Sequence, residues 1–258
     1  MAGQAGAGPV RVVLFDFAGT LTRIPPGFDD AEPWRRYLAS LVGSRLMSPV
    51  GTGPALDRLA AAEAASWTAC VEEGRSTTLR RVLDNAGVPV HDRAEQAYFS
   101  AFQEGTLVTE EARRVLIELR GLGLALGMLT NTIWPSAWIE RRLRDAGVRH
   151  LFDAVVASSD IDHCKPHPRA FASALARFPG TAPREAVFVG DRLFEDIHGA
   201  TGVGLRCIHL RADTPDSVPQ RAPRPWTTVT GIGDVVAAVR SAPSTTRIPL
   251  PANTERST

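Results

Sequence analysis

Lysine is almost missing from this chain. Lys165 is the only one in 258 residues, so positive charge is carried almost wholly by arginine. The formal net charge is +1, and without a block of like charge there is no electrostatic signal for a nucleic acid or a membrane surface. Cysteine is scarce as well. Cys70, Cys164 and Cys207 form no C-x-x-C pair and leave one odd thiol, so neither a disulfide framework nor a zinc site is expected. No segment approaches the roughly 18 consecutive apolar residues of a membrane span. The first residues lack the basic start and apolar run of a secretory signal, which makes the cytoplasm the expected location. Arginine pairs such as Arg35-Arg36, Arg80-Arg81 and Arg141-Arg142 read as solvated helix faces rather than anion sites.

What is present suits a globular enzyme. With 44% apolar and 22% charged residues, the chain can bury the core of one large domain or of a domain with an insertion. Residues 1–9 form a Gly/Ala leader expected to be flexible. Val12-Val13-Leu14-Phe15 then reads as a buried parallel strand that delivers Asp16 to the edge of a sheet. Residues 23–105 are helical in pattern, with Gly and Pro punctuation and no convincing strand. Strand and helix alternate afterwards, with strands expected at 124–130, 154–157, 186–189, 205–208 and 227–229 and helices near 168–178, 193–201 and 232–240. Thr109 is placed to cap the helix before the first of these strands. This order implies an α/β fold, a doubly wound, mostly parallel Rossmann-like sheet formed by residues 10–22 and 106–240, with the helical segment inserted after the first strand. From 241 to 258, Pro, Ser and Thr predict a disordered tail.

Ligands of such sheets bind beyond the carboxyl ends of the strands. Four of those ends carry reactive groups: Asp16 and Thr20; Thr130 and Asn131; Lys165 in the run Asp162-His163-Cys164-Lys165-Pro166; and Asp191 with Asp196 in Gly190-Asp191-Arg192-Leu193-Phe194-Glu195-Asp196. A carboxylate nucleophile, a hydroxyl, one cation and an acidic pair suit phosphoryl transfer with a hard divalent cation. A lysine kept where arginine is used throughout favours a compact ammonium in a tight site.

These four segments together resemble the haloacid dehalogenase superfamily. The resemblance spans about residues 10–240 and implies an aspartyl-phosphate intermediate on Asp16. It implies Mg²⁺ held by Asp16, the carbonyl of Ala18 and Asp191, with Asp196 direct or through water. Thr130 and the backbone N–H of Asn131 would bind the phosphoryl oxygens, and Lys165 would neutralise the nucleophile. The helical segment takes the place of that family's small cap, where Trp34, Arg35, Tyr37 and Trp67 are candidates to face substrate. Arg23, at the hinge and three residues beyond Thr20, is the one chosen. The implied partner is a small phosphorylated molecule, and the sequence leaves oligomeric state open.

One residue departs from the pattern. Phosphatases of the superfamily usually carry an aspartate two residues after the nucleophile, as the general acid; here that residue is Ala18. Such catalysis contributes about 10²–10⁴-fold, or roughly 3–5 kcal/mol of barrier. Asp-Phe-Ala-Gly-Thr also resembles the first motif of phosphonoacetaldehyde hydrolases, which use a cap lysine, yet the segment 23–105 contains none. Carbon–halogen cleavage without metal fits poorly with the pair Asp191 and Asp196. A phosphohydrolase whose leaving group is already good, or whose acid comes from elsewhere, is the expectation, with a non-hydrolytic phospho-ligand binder as the alternative.

Overall fold

The computed structural model describes residues 9–211 and 225–241. Apart from Pro9 and Ser241, the expected leader and tail lie outside the described residues. In chain order, β1 (Val12–Phe15) is followed by a short strand β2 (Thr22–Arg23) and four helices, α1 (Glu32–Gly43), α2 (Thr52–Glu73), α3 (Leu79–Ala86) and α4 (Asp92–Gly105). β3 (Leu107–Val108) and α5 (Glu110–Gly121) come next, then β4 (Ala125–Thr130), α6 (Ser136–Asp145), β5 (Ala154–Ala157) and α7 (Pro168–Leu175). The chain continues through β6 (Ala186–Gly190), α8 (Gly199–Gly202), β7 (Arg206–Leu210), β8 (Thr227–Val229) and α9 (Val235–Arg240).

Six strands form one parallel sheet in the order β5-β4-β1-β6-β7-β8. The chain winds from β1 outward to β5, then crosses back to β6 on the other side of β1, so the switch in strand order falls at the carboxyl end of β1. All four residues of β1 are buried, as a central parallel strand requires. Their side chains alternate between faces. Val13 and Phe15 pack with Leu126, Met128, Val187 and the apolar stripes of α5, α6 and α9. Val12 and Leu14 pack with Leu129, Phe188 and the small residues of α7 and α8. Each fully buried aliphatic or aromatic side chain contributes about 1.5–3 kcal/mol, so it is this two-sided core that holds the strand ends in register.

Local signals place the elements. Thr109 caps α5 by accepting the N–H of Ala112 at 3.0 Å, and Glu110 and Glu111 sit in the first turn, where acids complement the helix dipole. The expected helix at 193–201 is different in detail: Leu193–His198 is a π-helical turn running into α8. The carbonyl of Arg192 accepts the N–H groups of both Asp196 and Ile197, and this wider turn carries Asp196 inward to full burial.

β2 and β3 were not legible from pattern, being two residues each. They pair antiparallel, Thr22 with Val108 and Arg23 with Leu107, and tie together the chain entering and leaving the helical segment. That segment joins the apolar cluster of the sheet through Trp34, Tyr37 and Tyr98; the ring of Tyr98 lies 4.4 Å from that of Trp34 and 4.3 Å from that of Trp134 in the loop after β4.

The expectation that no disulfide forms is overturned. Cys70, near the end of α2, is bonded to Cys164 in the loop before Lys165, with Cα atoms 6.0 Å apart across 94 residues of sequence. No local spacing could announce this pair, because only the packing of α2 against that loop brings the sulfurs together. Cys207 in β7 is free and buried.

Candidate active site

Three adjacent strand ends and one loop deliver side chains to a single point. Asp16 leaves the end of β1, and its N–H donates to the carbonyl of Val189 in β6, which fixes the backbone just before the turn. The turn Ala18-Gly19-Thr20 then passes close to the end of β6. Gly19 has a φ of +84°, and a Cβ there would lie 2.5 Å from Asp191 Oδ2. At Gly190 a Cβ would lie 2.3 Å from Asp196 Oδ2. Both glycines therefore allow backbone to pack directly on a carboxylate.

Asp16, Asp191 and Asp196 are all buried, and one oxygen from each lies within 4.8 Å of the others. Lys165 is almost completely buried beside them, with Nζ donating to Asp16 Oδ1 at 2.6 Å and to Asp196 Oδ1 at 2.6 Å. The ring of Phe188 lies 5.3 Å from the same ammonium. A buried lysine is tolerated only when paired, and this one is paired twice. Burial alone would lower its pKa, but attraction to Asp16 and then Asp196 outweighs this and holds the ammonium above the ordinary lysine range.

Three carboxylates face one buried ammonium, with the exposed Arg192 guanidinium 3.7 Å from Asp191 Oδ2 at the rim, so the cluster keeps an excess of negative charge when all are ionised. The carboxyl groups register that excess. Burial raises the Asp16 pKa most, Lys165 pulls it down, Asp196 and Asp191 push it up again, and the balance is about 7. Asp191 is raised by burial and by Asp196, against the hydrogen bond it accepts from Thr20. Oxygen donors alone, with negative charge in excess, are a set that a hard divalent cation would satisfy.

Several residues act through these. Thr20 Oγ1 donates to Asp191 Oδ1 at 3.1 Å, so its hydroxyl orients a carboxylate. Asn131 uses both ends of its side-chain amide on the backbone of Lys165: Oδ1 accepts the Lys165 N–H at 2.8 Å and Nδ2 donates to the Lys165 carbonyl at 2.8 Å. Thr130 is buried at the end of β4, beside Asn131. The turn that contains Ala18 leaves that residue exposed. Arg23 is exposed on β2, and none of the hydrogen bonds and ion pairs that join Asp16, Lys165, Asp191 and Asp196 includes it. Of the helical-segment candidates, Trp34 and Tyr37 are buried packing residues: Trp34 Nε1 donates to Glu63 and the Tyr37 hydroxyl donates to the Pro89 carbonyl. Arg35 is exposed and paired with Asp29 and Glu32.

Two supporting residues escaped the sequence reading. His209 in β7 places Nε2 3.2 Å from the Asp191 carbonyl, and the Nε2–H tautomer donates to it. Ser158, after β5, accepts the Thr132 N–H at 2.9 Å and donates to the Thr132 carbonyl at 3.1 Å, which braces the loop following β4. Their signal was only that each sits at a strand end in a parallel sheet.

Residues 10–204 match the haloacid dehalogenase-like hydrolase family. Among curated relatives, a phosphoserine phosphatase from Thermus thermophilus is 34% identical over 211 residues, covering 79% of this chain and 80% of that protein. A phosphoglycolate phosphatase from Escherichia coli is 25% identical over 211 residues, covering 78% and 81%. Among solved structures, a 2-haloacid dehalogenase from Pseudomonas syringae superposes with a TM-score of 0.63 at 24% identity, covering 90% of this chain and 98% of the other. That likeness concerns the fold.

Proposed function

Because the chain belongs to the haloacid dehalogenase-like hydrolases, we propose that it is a magnesium-dependent phosphohydrolase of small phosphorylated metabolites, working through a covalent phosphoryl-aspartate on Asp16. One observation carries this reading: a buried lysine bonded to both Asp16 and Asp196, with Asp191 completing a cluster of oxygen donors. Asp16, Asp191 and Asp196 would hold Mg²⁺ together with the Ala18 carbonyl. When bound, Mg²⁺ supplies charge neutralisation between the attacking carboxylate and the phosphoryl oxygens. In this reading Lys165 favours the ionised form of Asp16 against its burial and offsets charge on the transferring group. Thr130 and the Asn131 N–H donate to phosphoryl oxygens, and Asn131 also fixes the Lys165 backbone.

We assign residues 23–105 the role of a cap that excludes water and selects substrate, with Arg23 as a hinge residue able to meet the incoming anion. The tie between β2 and β3 supports that assignment, because a paired ribbon at entry and exit lets the helices move as one body. A cytoplasmic setting belongs to the same reading, since phosphorylated metabolites are charged and retained inside cells.

The substrate class follows from Ala18. Acyl, enol or anhydride phosphates need little proton donation to the leaving group, whereas the alkyl monoesters named for the relatives above would need an acid from substrate or cap. A phosphonate route through a Schiff base lacks its lysine, because Lys165 is committed to Asp16 and is the only one in the chain. The test is phosphate release with Mg²⁺ across acetyl phosphate, phosphoserine, phosphoglycolate and sugar phosphates. Turnover of at least one is expected, with Asp16→Asn falling to the level of a protein-free control; turnover that survives this substitution would exclude the covalent mechanism.

A further inference from the structure

The junction between α2 and the loop that carries Lys165 holds more links than packing requires. Cys164 N–H donates to the Gly74 carbonyl at 3.1 Å and Ser76 N–H to the Asp162 carbonyl at 3.2 Å. These two bonds make an isolated antiparallel β-bridge between the backbones of Arg75 and His163, and the Ser76 hydroxyl adds a bond to the Ile161 carbonyl. Through the middle of this seam runs the Cys70–Cys164 bond. Cys164 is the residue immediately before Lys165, and Asn131, whose amide grips the Lys165 backbone, lies 3.6 Å from Cys70 Sγ. Both sulfurs are buried in this arrangement, Cys70 at 2% exposure and Cys164 at 0%. Hydrogen bonds across such a seam break and re-form as helices lift, but a covalent bond does not.

We propose that Cys70 and Cys164 form a reversible redox latch that pins the helical segment to the Lys165 loop and slows turnover when oxidised. The latch rests on the reading of residues 23–105 as a cap that must open for substrate entry and product release. The oxidant is a low-molecular-weight disulfide. With the seam open, the thiolate of one cysteine attacks it and releases one small thiolate, leaving a mixed disulfide on the protein. The second cysteine then attacks the protein sulfur of that mixed disulfide and releases the second small thiolate as the Cys70–Cys164 bond closes. The two protein thiols lose two protons and two electrons, and the electrons end on two small thiols. A small dithiol reverses the sequence. Cys207 takes no part, being buried in β7 against Ile197 and Leu205.

A structural staple predicts something different from a latch, because it would add stability without changing opening or rate. The whole chain is equilibrated at a series of oxidised-to-reduced glutathione ratios, quenched and alkylated, and its thiols are counted by intact mass. The same samples are assayed for Mg²⁺-dependent hydrolysis of p-nitrophenyl phosphate and for amide exchange at residues 70–76 and 161–166. Bridge formation is expected to lower turnover roughly tenfold and slow exchange at both segments, dithiothreitol restoring both. Cys70→Ser, with Cys70→Ala as a second variant, is expected to hold the reduced rate at every ratio. A bridge that never forms, or one that forms while exchange and turnover stay unchanged, overturns the latch. Slowed exchange with no hydrolysis of p-nitrophenyl phosphate, acetyl phosphate, phosphoserine, phosphoglycolate or sugar phosphates in either state would instead keep the pinning of the helical segment and refute the phosphohydrolase reading.

Discussion

Two residues near Asp16 define what the site has and what it lacks. Ala18 offers no proton donor, and it sits exposed in its turn, so a carboxyl group can be introduced there without repacking. Ala18→Asp is expected to raise turnover of alkyl phosphates by about tenfold or more, within the range of general acid catalysis, and that of aryl phosphates less. Parallel kcat measurements on phosphoserine and p-nitrophenyl phosphate check this, and equal change on both would show that proton donation is not limiting. Asn131 is the second. Its two bonds to the Lys165 backbone hold the ammonium at 2.6 Å from both partners. Asn131→Ala removes both and leaves backbone groups unpaired at about 1–3 kcal/mol apiece, so kcat is expected to fall more than KM rises. Steady-state kinetics with a check of folding by circular dichroism distinguishes this from simple unfolding.

Among the elements, α2 carries a group, outside the active site, that ties stability to pH. Glu63 accepts a hydrogen bond from Trp34 Nε1 at 2.7 Å, yet burial raises its pKa, with Asp30 adding to the rise against the hydrogen bonds from Trp34 and Trp67. Tyr98, pushed well above its ordinary range by burial and then by Glu63, faces the same spot. A glutamate with a raised folded pKa favours the fold most below its unfolded value, about 4.3, and loses that contribution as pH climbs through the folded value. Glu63→Gln keeps an acceptor for the indole without the charge. The variant is therefore expected to be more stable than the parent at pH 8 and to show a flatter slope from pH 5 upward, measured by urea unfolding at each pH.

The whole molecule is governed by the charge imbalance at the switch point of the sheet. Mg²⁺ at a hundredfold over its Kd is expected to add about 2.7 kcal/mol, a rise in Tm of roughly 5–10 °C for a chain of this size. Asp191→Asn should abolish that rise while leaving the metal-free protein no less stable, since it relieves repulsion from Asp196. Thermal unfolding with Mg²⁺ and with chelator, at fixed redox state, tests both. Much of this architecture was legible in the sequence. A run such as Val12–Phe15, apolar on both faces, β-branched at Val12 and Val13 and ended by a small-residue turn, reads as a doubly covered strand, and the reactive residues stood at the ends of such runs. The rest depended on contacts distant in sequence. Cys70 with Cys164, His209 with the Asp191 carbonyl and the two-residue ribbon of β2 and β3 leave no periodic trace. The central position of β1 also has a consequence for synthesis. Its partner β4 begins at Ala125 and its other partner β6 at Ala186, so the first strand made has both edges paired only after more than half of the chain has followed it. At a translation rate of about 5–20 residues per second, β1 waits roughly 10–35 s for its second neighbour. Throughout that interval a fully apolar tetrapeptide must be shielded on the ribosome, by the helices that emerge next or by a chaperone.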